Sequence, residues 1–158
     1  MHSPCRCLMI CSIVAVCLAF SAPVMAELKP GDLFPMIEAE DQHGKPYAVT
    51  GDTKFVAVSL AMGTGKKANR FFTEKGAQFL PEQQAVFIAD IHGMPGIGRR
   101  FALPKMRKYA HRVLLADEKG LLDDIPSQKG KVTVFRIDEA GVIGEIGFWD
   151  PTDGKSPF

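Results

Sequence analysis

The sequence has 158 residues, with 19 Lys and Arg against 18 Asp and Glu, a formal net charge of +1. That balance leaves no electrostatic footprint for nucleic acid or for an anionic membrane surface. All four cysteines stand near the start, at Cys5, Cys7, Cys11 and Cys17, so no disulfide framework and no cysteine-held metal is expected in the body of the chain.

Residues 1–26 read as a signal peptide. Arg6 supplies a positive charge, residues 8–20 are apolar and uncharged, and Val24-Met25-Ala26 suits a signal peptidase cutting before Glu27. The apolar run is short for a bilayer-spanning helix, which needs about 20 residues. Export to the periplasm or beyond is therefore expected, with a retained anchor as the alternative. Residues 27–158 then form one domain of 132 residues with zero net charge. That length is enough for a real hydrophobic core.

Within 33–49, Met36-Ile37-Glu38-Ala39-Glu40 partly alternates, Asp41-Gln42-His43-Gly44 supplies a turn, and Tyr47-Ala48-Val49 returns, which predicts a β-hairpin. Phe55-Val56-Ala57-Val58-Ser59-Leu60-Ala61 is a nearly continuous apolar run, as in a strand of a parallel sheet buried on both faces. Met62-Gly63-Thr64-Gly65 breaks it. Residues 66–80 predict an amphipathic helix on Ala68, Phe71, Phe72 and Phe79, fraying near Gly76 and stopping at Pro81.

A second buried strand follows over 85–91, then the glycine-rich loop 93–98 and a basic helical stretch that Pro104 interrupts. Residues 112–117 predict a third strand. Residues 131–138 and 142–149 predict a closing hairpin around Glu139-Ala140-Gly141. The fold class is α/β, a mixed sheet with flanking helices. Pro151, Gly154 and Pro157 leave the last nine residues unable to form a covering helix. The sheet there is either open for docking or plugged by a returning Phe158.

This order resembles the thioredoxin-like superfamily, its exported redoxin branch in particular. The matching segments are Gly31-Asp32-Leu33-Phe34-Pro35 with Asp41-Gln42-His43-Gly44-Lys45, the strand from Phe55 with its helix, and the stretches 114–120 and 134–143. A narrower resemblance is to the YtfJ-like family, periplasmic proteins of unassigned function, carried by Ala61-Met62-Gly63-Thr64-Gly65-Lys66-Lys67-Ala68-Asn69 and Met94-Pro95-Gly96-Ile97-Gly98. The resemblance implies a thioredoxin-like fold whose C-terminal helix is missing here.

The redoxin pattern also implies a Cys-x-x-Cys pair or a peroxidatic cysteine where this chain has Met62-Gly63-Thr64-Gly65-Lys66-Lys67. A helix start lowers a thiol pKa, and Thr64 cannot replace a thiolate without a strong base. A cis-proline is implied just before the last hairpin, near Lys131 or Val132, yet the nearest proline is the displaced Pro126.

Gly63, Thr64, Gly65, Lys66 and Lys67 are the candidate binding residues, for a small anion held by helix-start amides and two ammonium groups. The bland reading of the same residues is a tight turn. They are not a Walker A loop, because Leu60 stands where a glycine is required and Lys67 where Ser or Thr belongs. Arg99 and Arg100 form a candidate basic rim; Gly96-Ile97-Gly98 lacks the third glycine of a dinucleotide site. His92, Met94 and Met62 have Cu(I)-compatible donors, against packed methionines and a loop histidine as the plainer reading. His111 has no evident metal partner. No catalytic residue, metal or cofactor is assigned.

The sequence thus predicts an exported thioredoxin-fold protein without thiol redox activity, a binding or accessory protein for an unknown protein or small anionic ligand, with a homodimer as a further option. One alternative is a redoxin or peroxidase-like antioxidant enzyme that uses a non-thiol group or a cofactor. The other is a structural partner that docks through its C-terminal sheet face.

Overall fold

The computed structural model describes residues 26–158. Residues 1–25, with all four cysteines and nearly all of the expected leader, lie outside them. The elements in chain order are β1 (Glu38–Asp41), β2 (Pro46–Ala48), β3 (Phe55–Ser59), α1 (Met62–Lys75), α2 (Phe79–Glu82), β4 (Ala85–Asp90), α3 (Gly96–Met106), β5 (Leu114–Ala116), β6 (Val132–Ile137) and β7 (Ile143–Trp149). They build one seven-stranded sheet in the order β2-β1-β5-β4-β3-β6-β7. β3, β4 and β5 run parallel at its centre, and antiparallel hairpins close both sides.

The apolar runs of β3 and β4 are continuous because both sheet faces are covered. Ala57 and Phe87 enter one core, and Val56, Val58, Val86 and Ile88 enter the other. The first core lies under the helices and holds Phe71, Phe72, Leu80 and Met106. The second contains no helical residue: Leu28, Phe34, Leu122 and Ile125 cover it from irregular segments. The helices therefore all pack on one face of the sheet.

Several element boundaries differ from the sequence expectation: the helix expected to stop at Pro81 divides into α1 and α2, and Pro81 lies inside α2. α1 starts at Met62, so the presumed 62–65 turn is its first turn, and it ends where Gly76 takes φ 93° and its amide donates to the Phe72 carbonyl. Pro104 lies inside α3 without ending it, two residues before the helix stops. There its missing N–H leaves only the Arg100 carbonyl without its usual donor. β5 is shorter than 112–117 because side chains take over its start: the Val113 amide donates to Gln42 Oε1, and Arg112 donates to Asp41 and to the Pro46 carbonyl.

The C-terminal segment settles between open and plugged. It returns across the helical side in extended form, and Trp149 Nε1 donates to the Lys155 carbonyl at 2.9 Å. The Phe158 ring lies 5.1 Å from Phe55 and 6.0 Å from Phe79. Docking through an open C-terminal sheet face is thereby corrected: the chain's own tail fills that space. Phe158 is only half-buried, so Phe158→Ala is expected to cost about 1–2 kcal/mol, below the range of a fully buried ring. Urea denaturation followed by Trp149 fluorescence checks this.

Candidate functional site

The parallel register of β3 and β4 brings the two following segments together at one end of the sheet. β3 feeds α1 through Leu60 and Ala61, and β4 feeds α3 through residues 91–95. Open α/β sheets bind ligands beyond the carboxyl ends of such strands. A cavity of about 270 Å³ lies there, walled by α1 and α3. Met62, Met94 and Met106 all line it. A larger groove of about 1180 Å³ opens at the far end, between the 51–55 turn and residues 136–140, and no sulfur lines it. The chemistry therefore favours the smaller cavity.

Met62 is the first residue of α1 and 49% exposed, Met94 is half-buried, and Met106 is buried. Ala61, the N-cap of α1, makes no side-chain capping bond, and the first turn contains no acidic residue. The opening amides of α1 are thus free of side-chain acceptors, which favours developing negative charge beside Met62.

The candidate anion residues separate. Thr64 and Gly65 are buried, while Gly63, Lys66 and Lys67 are exposed. Gly65 packs closely on β3: a Cβ there would stand 3.2 Å from Ser59 Oγ, a tight contact. Lys66 lines the methionine cavity, whereas Lys67 lies on another face with Arg70 and Pro151. Arg99 is committed to structure. It forms a bidentate pair with Asp117 and donates to the carbonyls of Met94 and Ile91, which ties the 91–94 loop to the end of β5. Arg100 is exposed and makes no side-chain hydrogen bond among the described residues.

His92 does not line the cavity with Met62 and Met94; its Nδ1 lies 3.1 Å from the Asp117 carbonyl. Among the described residues no group of three or more His, Cys, Asp or Glu side chains converges as a metal site. No cis peptide occurs among them either, so Pro126 does not reproduce the redoxin cis-proline.

Sequence reasoning missed the pairing of Asn69 with His111. Asn69 donates from Nδ2 to the Gly65 carbonyl, which turns its Oδ1 toward His111 Nε2 at 2.9 Å. Nε2 therefore carries the hydrogen, and Nδ1 is buried with no protein partner among the described residues. Burial lowers the imidazole pKa from 6.5 to about 4. The ring stacks on Tyr109, another cavity-lining residue, at 5.3 Å. Asn69 and His111 are 42 positions apart, and no local pattern marks either one.

No protein-family model matches the sequence, and no curated protein matches it. Solved structures do match. A DsbE-like thiol:disulfide interchange protein of Chlorobium tepidum aligns with 82% of this chain and 92% of its own, at 14% identity and a TM-score of 0.56. The peroxidoxin BcpB of Mycobacterium tuberculosis covers 81% of this chain and 92% of its own, at 16% identity and a TM-score of 0.52. The thioredoxin domain of a thiol-disulfide oxidoreductase from Bacteroides vulgatus covers 76% and 89%, at 16% and 0.52. At these identities the shared property is the fold, and that fold is thioredoxin-like.

These likenesses correct the expectation of a binding or accessory protein without redox activity. Solved proteins that share the fold include a peroxidoxin and thiol-disulfide oxidoreductases. Physically, the helix start where such a site is expected has not closed into a bare turn: it borders a cavity lined by three thioethers.

Proposed function

We propose that this chain is a redoxin-type, peroxidase-like antioxidant whose reacting group is a methionine thioether, that of Met62. One observation carries the reading: Met62 puts a sulfur at the start of the helix that follows the central strand β3, at an apolar cavity.

The step is a two-electron oxygen transfer. The thioether lone pair attacks the outer peroxide oxygen, the S–O bond forms and the O–O bond breaks. The hydroxyl now carried on sulfur gives its proton, relayed by water, to the departing alkoxide or hydroxide, which leaves the sulfoxide. Sulfur is oxidised to the sulfoxide and the peroxide is reduced to an alcohol or to water. The uncapped amides of α1 and the Lys66 ammonium favour the charge that grows on the leaving oxygen. A methionine sulfoxide reductase, with its own thiol reductant, returns the thioether.

Peroxide consumption sustained by such a reductase is expected for the protein, and Met62→Leu is expected to bring it to background. Leu conserves volume, so the fold should persist. Unchanged consumption in the variant contradicts the assignment. Two narrower proposals accompany it. Export is supported by the leader pattern of residues 1–26. Membership of the YtfJ-like family is supported by the segments 61–69 and 94–98, each of which contributes residues to the cavity wall.

A further inference from the structure

We infer that the methionine cavity is a binding site for a free amphiphile: a medium-length apolar chain with a single anionic group. The inner wall is mostly apolar, with Ile91, Met94, Ala102 and Met106, and its buried polar side chains, Ser59 and Asn69, are already hydrogen-bonded within the chain. Lys66 and Lys105 also line the cavity, one on each helix. Neither ammonium has an ion-pair partner among the described residues, where the pairs are Arg99–Asp117, Arg112–Asp41 and Arg136–Glu145. The one lining carboxylate is Asp90, whose Oδ1 already accepts the His92 amide.

The net lining charge is therefore positive around an apolar interior, which complements an anion with a hydrocarbon body and disfavours a cation. At about 270 Å³ the cavity lies just below the usual ligand-site range of about 300–1,000 Å³, so it suits a medium chain rather than a long one. Ile97 and Phe101 stand one helical turn apart on α3, 72% and 69% exposed, and Phe101 lines the cavity. They extend the apolar surface outward, in the manner of a ligand site that holds part of its guest outside. This site needs no oxidation chemistry, so it goes beyond the peroxidase reading and is tested apart from it.

The probes are decanoate, decanol and decyltrimethylammonium below their micelle concentrations, titrated calorimetrically without peroxide into the protein and into Met62→Leu. Decanoate is expected to bind both proteins, above decanol and well above the cation. The double change Lys66→Glu and Lys105→Glu is expected to weaken decanoate about tenfold or more while leaving decanol unchanged, as loss of charge-assisted contacts would do. Both lysines are exposed, so that variant keeps the core intact. Ala102→Trp, which fills the cavity, is expected to abolish binding of both chains.

Equal binding of decanoate and the cation, or decanoate binding untouched by the double charge reversal, overturns the inference. So does a protein that takes up no decanoate and instead doubles its mass on concentration in light scattering. Loss of peroxide consumption in Met62→Leu with decanoate binding retained would separate the two readings.

Discussion

Acidification from pH 7 to pH 4 is expected to remove about 3 kcal/mol of stability through one side chain, His111, whose pKa falls from 6.5 to about 4 on folding. The imidazole is 1% exposed and neutral, donating from Nε2 to Asn69. Below pH 6.5 the unfolded chain binds a proton that the folded protein refuses until about pH 4. Stability is therefore flat above this window, falls as pH drops through it, and levels off below. Most of the loss is complete at pH 4.5.

Asp41 acts in a different range. Burial alone raises its pKa, but the Lys45 and His43 amides and Arg112 outweigh that and hold it below 3.8. Its contribution is present above pH 3.8 and is lost only as pH falls further. Urea denaturation at pH 7 and 4.5 measures the His111 part. His111→Gln can still donate to Asn69 but does not titrate, so its stability should change much less between the two. Equal pH dependence in the two proteins contradicts the role given to His111.

Phe72→Ala is expected to cost about 3–5 kcal/mol at pH 7, a large share of the roughly 5–15 kcal/mol that holds a domain together. Phe72 is fully buried, and its ring lies 5.0 Å from Phe87, 5.5 Å from Trp149 and 5.6 Å from His111. It also stacks near Phe158, so α1, the sheet and the returning tail share this one side chain. The void left by truncation borders the imidazole. Water entering it eases protonation, so the acid-dependent loss should shrink in Phe72→Ala. The double variant with His111→Gln should then be non-additive at pH 4.5. Additive behaviour would show that the two residues do not share an environment.

Much of this fold is legible in the residues. The apolar runs at 55–61 and 85–91 mark β3 and β4, because only strands covered on both faces stay apolar at every position. Glu139-Ala140-Gly141 marks the β6–β7 turn, where Gly141 takes φ 79°. The start of α1 is not legible. Gly63 and Gly65 read as a break, yet both lie in the first turn of α1, where Gly65 packs closely against Ser59. The tail is decided by long-range aromatic contacts of Phe158 that no local pattern encodes.

The candidate site was half visible. Met62 and Met94 stand out as soft donors, but their meeting in one cavity follows from the parallel pairing of β3 with β4. His111 and Asn69 meet only through packing. The missing thiol drew attention to Thr64, which is buried, and away from Met62, the sulfur at the helix start.

The most direct test of the proposed chemistry is the order in which methionines oxidise. Brief treatment of the folded protein with limiting hydrogen peroxide, followed by peptide mapping, reads it. Met36 is 79% exposed and is not part of the cavity lining, while Met62 is 49% exposed within it. A site that favours the departing oxygen oxidises Met62 ahead of Met36, and unfolding in urea abolishes the preference. Oxidation of Met36 first, with Met62 following its lower exposure, would contradict the account.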